Sequence, residues 1–195
     1  MSSNPINVPK HLLSRLLYTN PVCLASTYSA IMTLSWITCI DNSGGFICSI
    51  NSSRDSLNSI LEHGIFSLSI PTAENIPLIL KIGSSKSNNV DKYVDSNLER
   101  VCEGPWCAVG SQGICAWLFC KVIEKINHAN PSGPTHVLLR CTIDHAKVNC
   151  INWTGKQLTG DLLAFMGSKT FALMSPIAIQ GYSHDCMEND VQRST

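Results

Sequence analysis

The sequence predicts a mainly β protein, an antiparallel barrel with peripheral helices. Two observations carry this. Residues 21–71 read as three strands, a short helix and a further strand, and residues 114–123 and 136–148 read as two long strands joined by a turn at residues 130–134. Strands separated by short helices and hairpin turns favour such a barrel over βαβ winding.

Residues 1–20 form an N-terminal extension, with Pro5 and Pro9 early and one or two helical turns across residues 10–18. Residues 22–27 are an apolar run with the look of a buried strand, and residues 31–40 are expected as a second strand. Gly44 and Gly45 supply a turn into a third strand at residues 46–50. Ser53 or Asp55 is expected to cap a helix carrying Leu57, Ile60 and Leu61 on one face, and Gly64 suits its exit. Residues 65–70 alternate Phe66, Leu68 and Ile70 with Ser67 and Ser69, the period of a half-buried strand.

Asn75 is expected to cap a helix from Pro77 to Lys81, residues 83–89 read as a loop, and residues 90–97 as a second small helix. Residues 162–174 fit either a helix or a bent strand, residues 176–179 a short edge strand, and residues after Tyr182 a frayed polar tail. The main domain is therefore expected over residues 21–182, with a polar tail at 183–195.

The chain has 195 residues, 44% of them hydrophobic and 14% charged, with no net charge. That balance gives no footprint for nucleic acid and points to a large buried fraction or an apolar subunit interface. No apolar run is long enough to span a membrane, and the N-terminus lacks a secretory pattern, so a cytoplasmic setting is expected. Ten cysteines are then expected as reduced thiols, with Cys23, Cys39, Cys48, Cys115, Cys120 and Cys141 in apolar runs acting as small hydrophobes. Cys102/Cys107 and Cys141/His145/Cys150 have superficial ligand spacings, but no CxxC occurs and no metal is expected.

Two polar clusters interrupt the first strands: residues 32–38 (MTLSWIT) and residues 49–56 (SINSSRDS). The second lies where a strand gives way to a helix. A helix start presents unpaired N–H groups and positive dipole, so Arg54 with the hydroxyls of Ser52, Ser53 and Ser56 suits an anion such as phosphate. Nothing in the chain matches Ser-His-Asp, GxSxG, HExxH or GxGxxG patterns.

These clusters, in the order MTLSW then SINSSRDSLxxIxxxGIFSLSIP, resemble the flavin reductase-like, FMN-binding split-barrel family, in its flavoredoxin-like branch. Asp91-Lys92-Tyr93, Leu118-Phe119-Cys120 and the strand from His136 resemble later pieces of that family, and the likeness runs from about residue 21 to residue 153. The chain departs from the family at Ala30, Gly44-Gly45 and Thr135, where Asn, Pro-Pro and Asp are common. The resemblance implies an FMN-binding split β-barrel. It implies that Asn51, Ser52, Ser53, Arg54 and Ser56 hold the phosphate. Thr33, Ser35, Trp36, Ile37 and Thr38 would meet the flavin ring, with Lys92 at the phosphate or ribityl chain and His136 near the flavin or the nicotinamide site.

It also implies an oxidoreductase that passes electrons from NADH or NADPH to flavin and onward, as a homodimer. The cofactor carries that chemistry, so no catalytic side chain is singled out. A flavoredoxin-like electron carrier fed by a protein partner is the alternative, and a thiol or metal-binding barrel a third reading.

Overall fold

The computed structural model describes residues 8–84, 91–126, 135–167 and 169–175. The strands are β1 (Asn20–Pro21), β2 (Cys23–Ser26), β3 (Ile31–Leu34), β4 (Ile37–Cys39), β5 (Gly45–Asn51), β6 (Ile65–Pro71), β7 (Glu99–Glu103), β8 (Trp106–Gly110), β9 (Ile114–Ile126), β10 (His136–Val148), β11 (Leu162–Gly167) and β12 (Thr170–Met174). The α-helices are α1 (Asp55–His63), α2 (Ile76–Ser84) and α3 (Lys92–Asp95), and a 3-10 helix covers Lys10–Leu17.

A seven-stranded antiparallel sheet runs in the order β3-β2-β6-β9-β10-β5-β4. Its two edge strands are consecutive in the chain, joined only by Ser35 and Trp36. A flat sheet of this width would separate its edges by roughly 29 Å at about 4.8 Å per strand. The Cα atoms of Leu34 and Ile37 can be no more than about 11 Å apart. The sheet is therefore curled until its edges face each other, a barrel with a seam at Ser35–Trp36. The expected single strand over residues 31–40 is corrected to two strands on opposite sides of that seam.

Two cores follow from the curl. Inside the barrel, Cys23, Ala25, Phe46, Cys48, Ile50, Phe66, Leu68, Cys120, Leu139 and Cys141 pack with Leu57 and Ile60 of α1. Outside it, Val22, Leu24 and Ile31 pack with Ile79, Ile82, Tyr93, Cys107, Val109 and Leu163. β2 contributes to both cores, which is why its sequence is apolar on both faces.

The serines of β6 depart from the half-buried pattern, since Ser67 and Ser69 are as buried as their apolar neighbours. The cause is the β7–β8 hairpin, which covers that face. Ser69 Oγ accepts from the Val109 amide at 3.0 Å and donates to the Val109 carbonyl at 3.3 Å. β7 had no counterpart among the expected elements.

Arg54, with no side-chain bond to the helix start, occupies the cap position of α1, in place of Ser53 or Asp55. Gly64 ends that helix as expected, in a left-handed conformation with φ 67° and its N–H on the Ile60 carbonyl. Gly44 makes its expected turn at φ 94°, and Asp41 Oδ1 accepts from the Ser43 and Gly45 amides at 2.7 and 2.9 Å. Asn75 does not cap α2. Its side-chain amide donates to the Gln112 carbonyl at 2.9 Å and ties that helix start to the β8–β9 turn. α3 is shorter than the expected residues 90–97, and its cap is the Asp91 side chain, accepting from the Tyr93 amide.

β9 and β10 pair antiparallel along nearly their whole length, and the strand expected at residues 136–148 coincides with β10. Residues 162–174 resolve into the β11–β12 hairpin, turned at Gly167 (φ 93°) and Lys169 (φ 66°). β11 also pairs with β1, giving a small three-stranded sheet, β1-β11-β12. α2 runs past its expected end at Lys81 and takes in Gly83 and Ser84 of the loop expected at residues 83–89; the rest of that loop, the turn at 130–134, the strand at 176–179 and the tail after Tyr182 lie outside the described residues. Cys23, Cys48, Cys115, Cys120 and Cys141 are buried, whereas Cys39, at the end of edge strand β4, is exposed. Among the described residues no helix is long and apolar enough to cross a membrane.

Candidate functional site

A groove opens along the seam. One cavity, of about 250 Å³, is lined by Thr33, Ser35, Trp36, Asn51, Arg54 and His136, with Tyr18 and Phe165 among its walls. A second, of about 320 Å³, shares Thr33, Ser35, Arg54 and Phe165 with the first, and adds Ile79, Leu80, Gly83, Ser84, Lys169 and Phe171. Together they form one trough. Ser35 and Trp36 line it because they are the link between the barrel's edges, where the side chains of a continuous sheet would be paired away.

The groove is held from below. Thr33 Oγ1 donates to the Ile79 carbonyl at 3.1 Å, tying β3 to α2. Arg54 Nη2 donates to the Gly83 carbonyl at 3.3 Å, so the guanidinium lies along the wall that α2 provides. His136, opposite Asn51 in register, stacks on Trp36 with ring centroids 4.8 Å apart. Burial holds its imidazole below the ordinary histidine range, which favours the neutral ring.

The residues of the second polar cluster separate into different roles. Asn51 and Arg54 line the groove. Ser52 donates its amide and hydroxyl to the Thr135 carbonyl, at 3.0 and 3.2 Å. Ser53 gives both its amide and its hydroxyl to Asn51 Oδ1, at 2.9 and 2.8 Å. Neither serine is among the residues lining the two cavities.

Ser56 is buried and turned the other way, with its hydroxyl 3.5 Å from the Ile31 carbonyl. Lys92 Nζ donates to that same carbonyl at 3.1 Å. Burial first, and then the charge of Arg54, lower its pKa, while Asp55 works against them. Ser52, Ser53, Ser56 and Lys92, expected at the phosphate or ribityl chain, thus each make bonds within the protein. These hold the strand-to-helix turn and the foot of β3, and Lys92 adds positive charge beneath Arg54.

Ile37 and Thr38 face a third cavity, of about 440 Å³, on the far side of Trp36, with Ser14, Leu17, Ile47 and Leu138. Phe165, Lys169 and Phe171 were not anticipated. They come from the hairpin whose sequence fitted two conformations. The available signal was the glycine between two phenylalanines in FMGSKTF, which marks a turn bringing both aromatics to one end.

Among the described residues, no three His, Cys, Asp or Glu side chains are grouped to hold a metal ion. The site is a trough with an apolar wall, a guanidinium common to both cavities, a lysine in one and amide and imidazole groups in the other, suited to a flat organic anion.

Comparison with known proteins agrees with that class. The model of the flavin reductase like domain matches residues 13–158, and the chain belongs to that family. Flavoredoxin from Methanosarcina acetivorans superposes with a TM-score of 0.75 at 18% identity, covering 97% of this chain and all of its own. An FMN-binding protein from Thermus thermophilus, with bound p-hydroxybenzaldehyde, gives 0.71 at 14% identity over 92% and 97% of the two chains. Nitrilotriacetate monooxygenase component B from Bacillus cereus gives 0.75 at 13% identity over 92% and 98%. At these identities the likeness establishes the flavin reductase-like split-barrel fold. No match to the sequence was found among curated proteins.

Proposed function

We propose that the seam groove binds FMN and that the protein is an oxidoreductase moving electrons from NADH or NADPH through that flavin. The observation that carries the reading is the shared trough, with Arg54 lining both of its cavities and Lys169 lining one of them. Its two cavities lie near the lower end of the roughly 300–1,000 Å³ of small-molecule sites.

In this reading Arg54 and Lys169 meet the phosphate, with a planar fork on one side and a point charge on the other. Ile79, Leu80, Phe165 and Phe171 shield an apolar face from water. Ser35 and Trp36, with Ile37 and Thr38 beyond them, meet the ring's polar edge, and Asn51 and His136 orient it. Ser52, Ser53, Ser56 and Lys92 act by holding Asn51, Arg54 and β3 in place. The bound flavin supplies the hydride acceptance and onward electron delivery.

The test is spectroscopic. Purified protein should carry a band at about 450 nm that bleaches anaerobically on addition of NADH or NADPH. Titration of the stripped protein with riboflavin in place of FMN should show much weaker binding, because the phosphate contact is gone. A colourless protein that takes up no FMN would refute the assignment.

A flavoredoxin-like carrier is the second reading. Among the described residues lining the two cavities, Arg54 and Lys169 are the lysine and arginine side chains, a set matched to one phosphate, whereas a nicotinamide dinucleotide brings more. Bleaching by a protein reductase but not by NADH or NADPH would favour it.

A homodimer belongs to the same proposal. Leu13, Leu16 and Leu17 are exposed beside the third cavity, and covering them with a second copy would bury that apolar edge. Sedimentation of a Leu13→Glu, Leu16→Glu variant as a monomer, against a dimeric parent, is the expected result.

A further inference from the structure

The β7–β8 hairpin carries a thiol pair that the groove does not use. Cys102 and Cys107 are register partners, one step from the closing pair Glu103/Trp106. In a two-residue hairpin the closing pair exchanges the backbone bonds, so the next pair is the non-hydrogen-bonded kind in which side chains stand closest. Such pairs have Cα atoms about 4.5 Å apart, inside the roughly 4.4–6.8 Å that a disulfide accepts. The Cys102 thiol is directed at Cys107 Sγ, with the sulfurs 3.6 Å apart.

The sulfurs differ in access. Cys102 is exposed and Cys107 is 2% exposed. Behind Cys107 the Tyr93 hydroxyl stands 3.6 Å from its sulfur, and the Arg100 guanidinium lies over the Tyr93 ring at 4.2 Å. Burial pushes the Cys107 thiol up to about 11, with Tyr93 and Arg100 working in the opposite direction. An outer sulfur that a small molecule reaches, touching an inner one that it does not, is the arrangement of an attacking and a resolving thiol.

We propose that Cys102 and Cys107 are a reversible dithiol–disulfide couple that exchanges with low-molecular-weight disulfides of the glutathione type. The Cys102 thiolate attacks one sulfur of the small disulfide. That S–S bond breaks, a mixed disulfide forms on Cys102, and one thiolate leaves. Cys107, giving up its proton, then attacks the Cys102 sulfur. The mixed bond breaks, the Cys102–Cys107 bond forms, and the second small thiolate leaves. Both small sulfurs are reduced and take up the protons released by the two cysteines, which are oxidised. Excess small thiol reverses both steps. The couple does not depend on the flavin reading, because its groups lie on α3, β7 and β8.

The test equilibrates the reduced full-length protein with mixtures of reduced and oxidised glutathione. The samples are then quenched in acid, alkylated after denaturation, digested with trypsin and analysed by tandem mass spectrometry. The tryptic peptide 101–121 should carry a Cys102–Cys107 bond with Cys115 and Cys120 alkylated. The exposed Cys39 and Cys150 should end as glutathione adducts. In Cys107→Ser, Cys102 should keep its glutathione, and in Cys102→Ser, Cys107 should remain free to alkylate.

The proposal is overturned if wild-type Cys102 ends as a glutathione adduct like Cys39 and Cys150. It is equally overturned if Cys102 and Cys107 both stay reduced while those two react. The wild-type result decides even if a serine variant fails to fold.

Discussion

Arg54 does two things at once: it begins α1 and it turns its guanidinium along the groove to the Gly83 carbonyl. Removing it deletes a charged hydrogen-bond donor without opening the core. Arg54→Ala is expected to weaken FMN binding by about 1.5–3 kcal/mol, the scale of a charged hydrogen bond, while circular dichroism stays unchanged. Unaltered affinity by fluorescence titration would move the phosphate elsewhere. Ser53→Ala makes the contrasting case, since that hydroxyl is taken by Asn51 Oδ1, which the Ser53 amide continues to hold in the variant. Its flavin affinity should stay within about 0.5 kcal/mol of the parent, as for a surface change away from the ligand.

At this scale the sequence revealed residue type and neighbourhood but not direction. SINSSRDS named the strand-to-helix turn. Which hydroxyls point outward depends on backbone partners such as Thr135 and Ile31, which lie far away in the chain.

The elements differ in how much of their geometry is local. α1 is bounded by its own residues, and Gly64 exits it at φ 67° into open space, where an added Cβ would meet nothing within 4 Å. Gly64→Ala therefore isolates backbone strain, and urea denaturation should show a loss of about 1–2 kcal/mol. Gly64→Asn should lose less, because asparagine tolerates that conformation. β10 was equally legible, because a long run of branched residues ending at a turn has few alternatives. The Ser67 and Ser69 face of β6 was not: alternation reports polarity, and a serine covered by a neighbouring hairpin looks the same as one facing water. Residues 162–174 stayed ambiguous for a related reason: they pair with each other across the Gly167 turn, and β11 is backed by β1 from the far N-terminal part of the chain.

For the molecule as a whole, the buried thiols set an alkaline limit. Burial pushes Cys23 up to about 12 and Cys107 up to about 11, and raises Cys115 and Cys120; Cys141 is raised by its hydrogen bond with Cys48 and then by burial. In the unfolded chain these groups ionise near the ordinary 9.0. Above that pH the unfolded state holds fewer protons than the fold, so stability falls as pH rises. The loss continues until each folded pKa is passed, reaching up to about 1.4 kcal/mol per thiol per pH unit. Tyr93, raised by burial, acts in the same direction, while Lys92, lowered by burial and by Arg54, opposes it. Under reducing conditions the urea midpoint should fall steadily from about pH 8 to about pH 10.5; a flat profile would mean the thiols ionise as freely inside as out.

The sequence by itself determined the family, the strand-rich architecture, the helix between β5 and β6 and the position of the two polar clusters, because these follow from short-range periodicity, turn residues and motif order. Only the tertiary structure decided that Ser35 and Trp36 form the seam between the two edges of one curled sheet, and that the groove's second wall comes from Phe165, Lys169 and Phe171. Both depend on which distant strands share hydrogen bonds, and that choice is made by closing the sheet, not by any one stretch of chain.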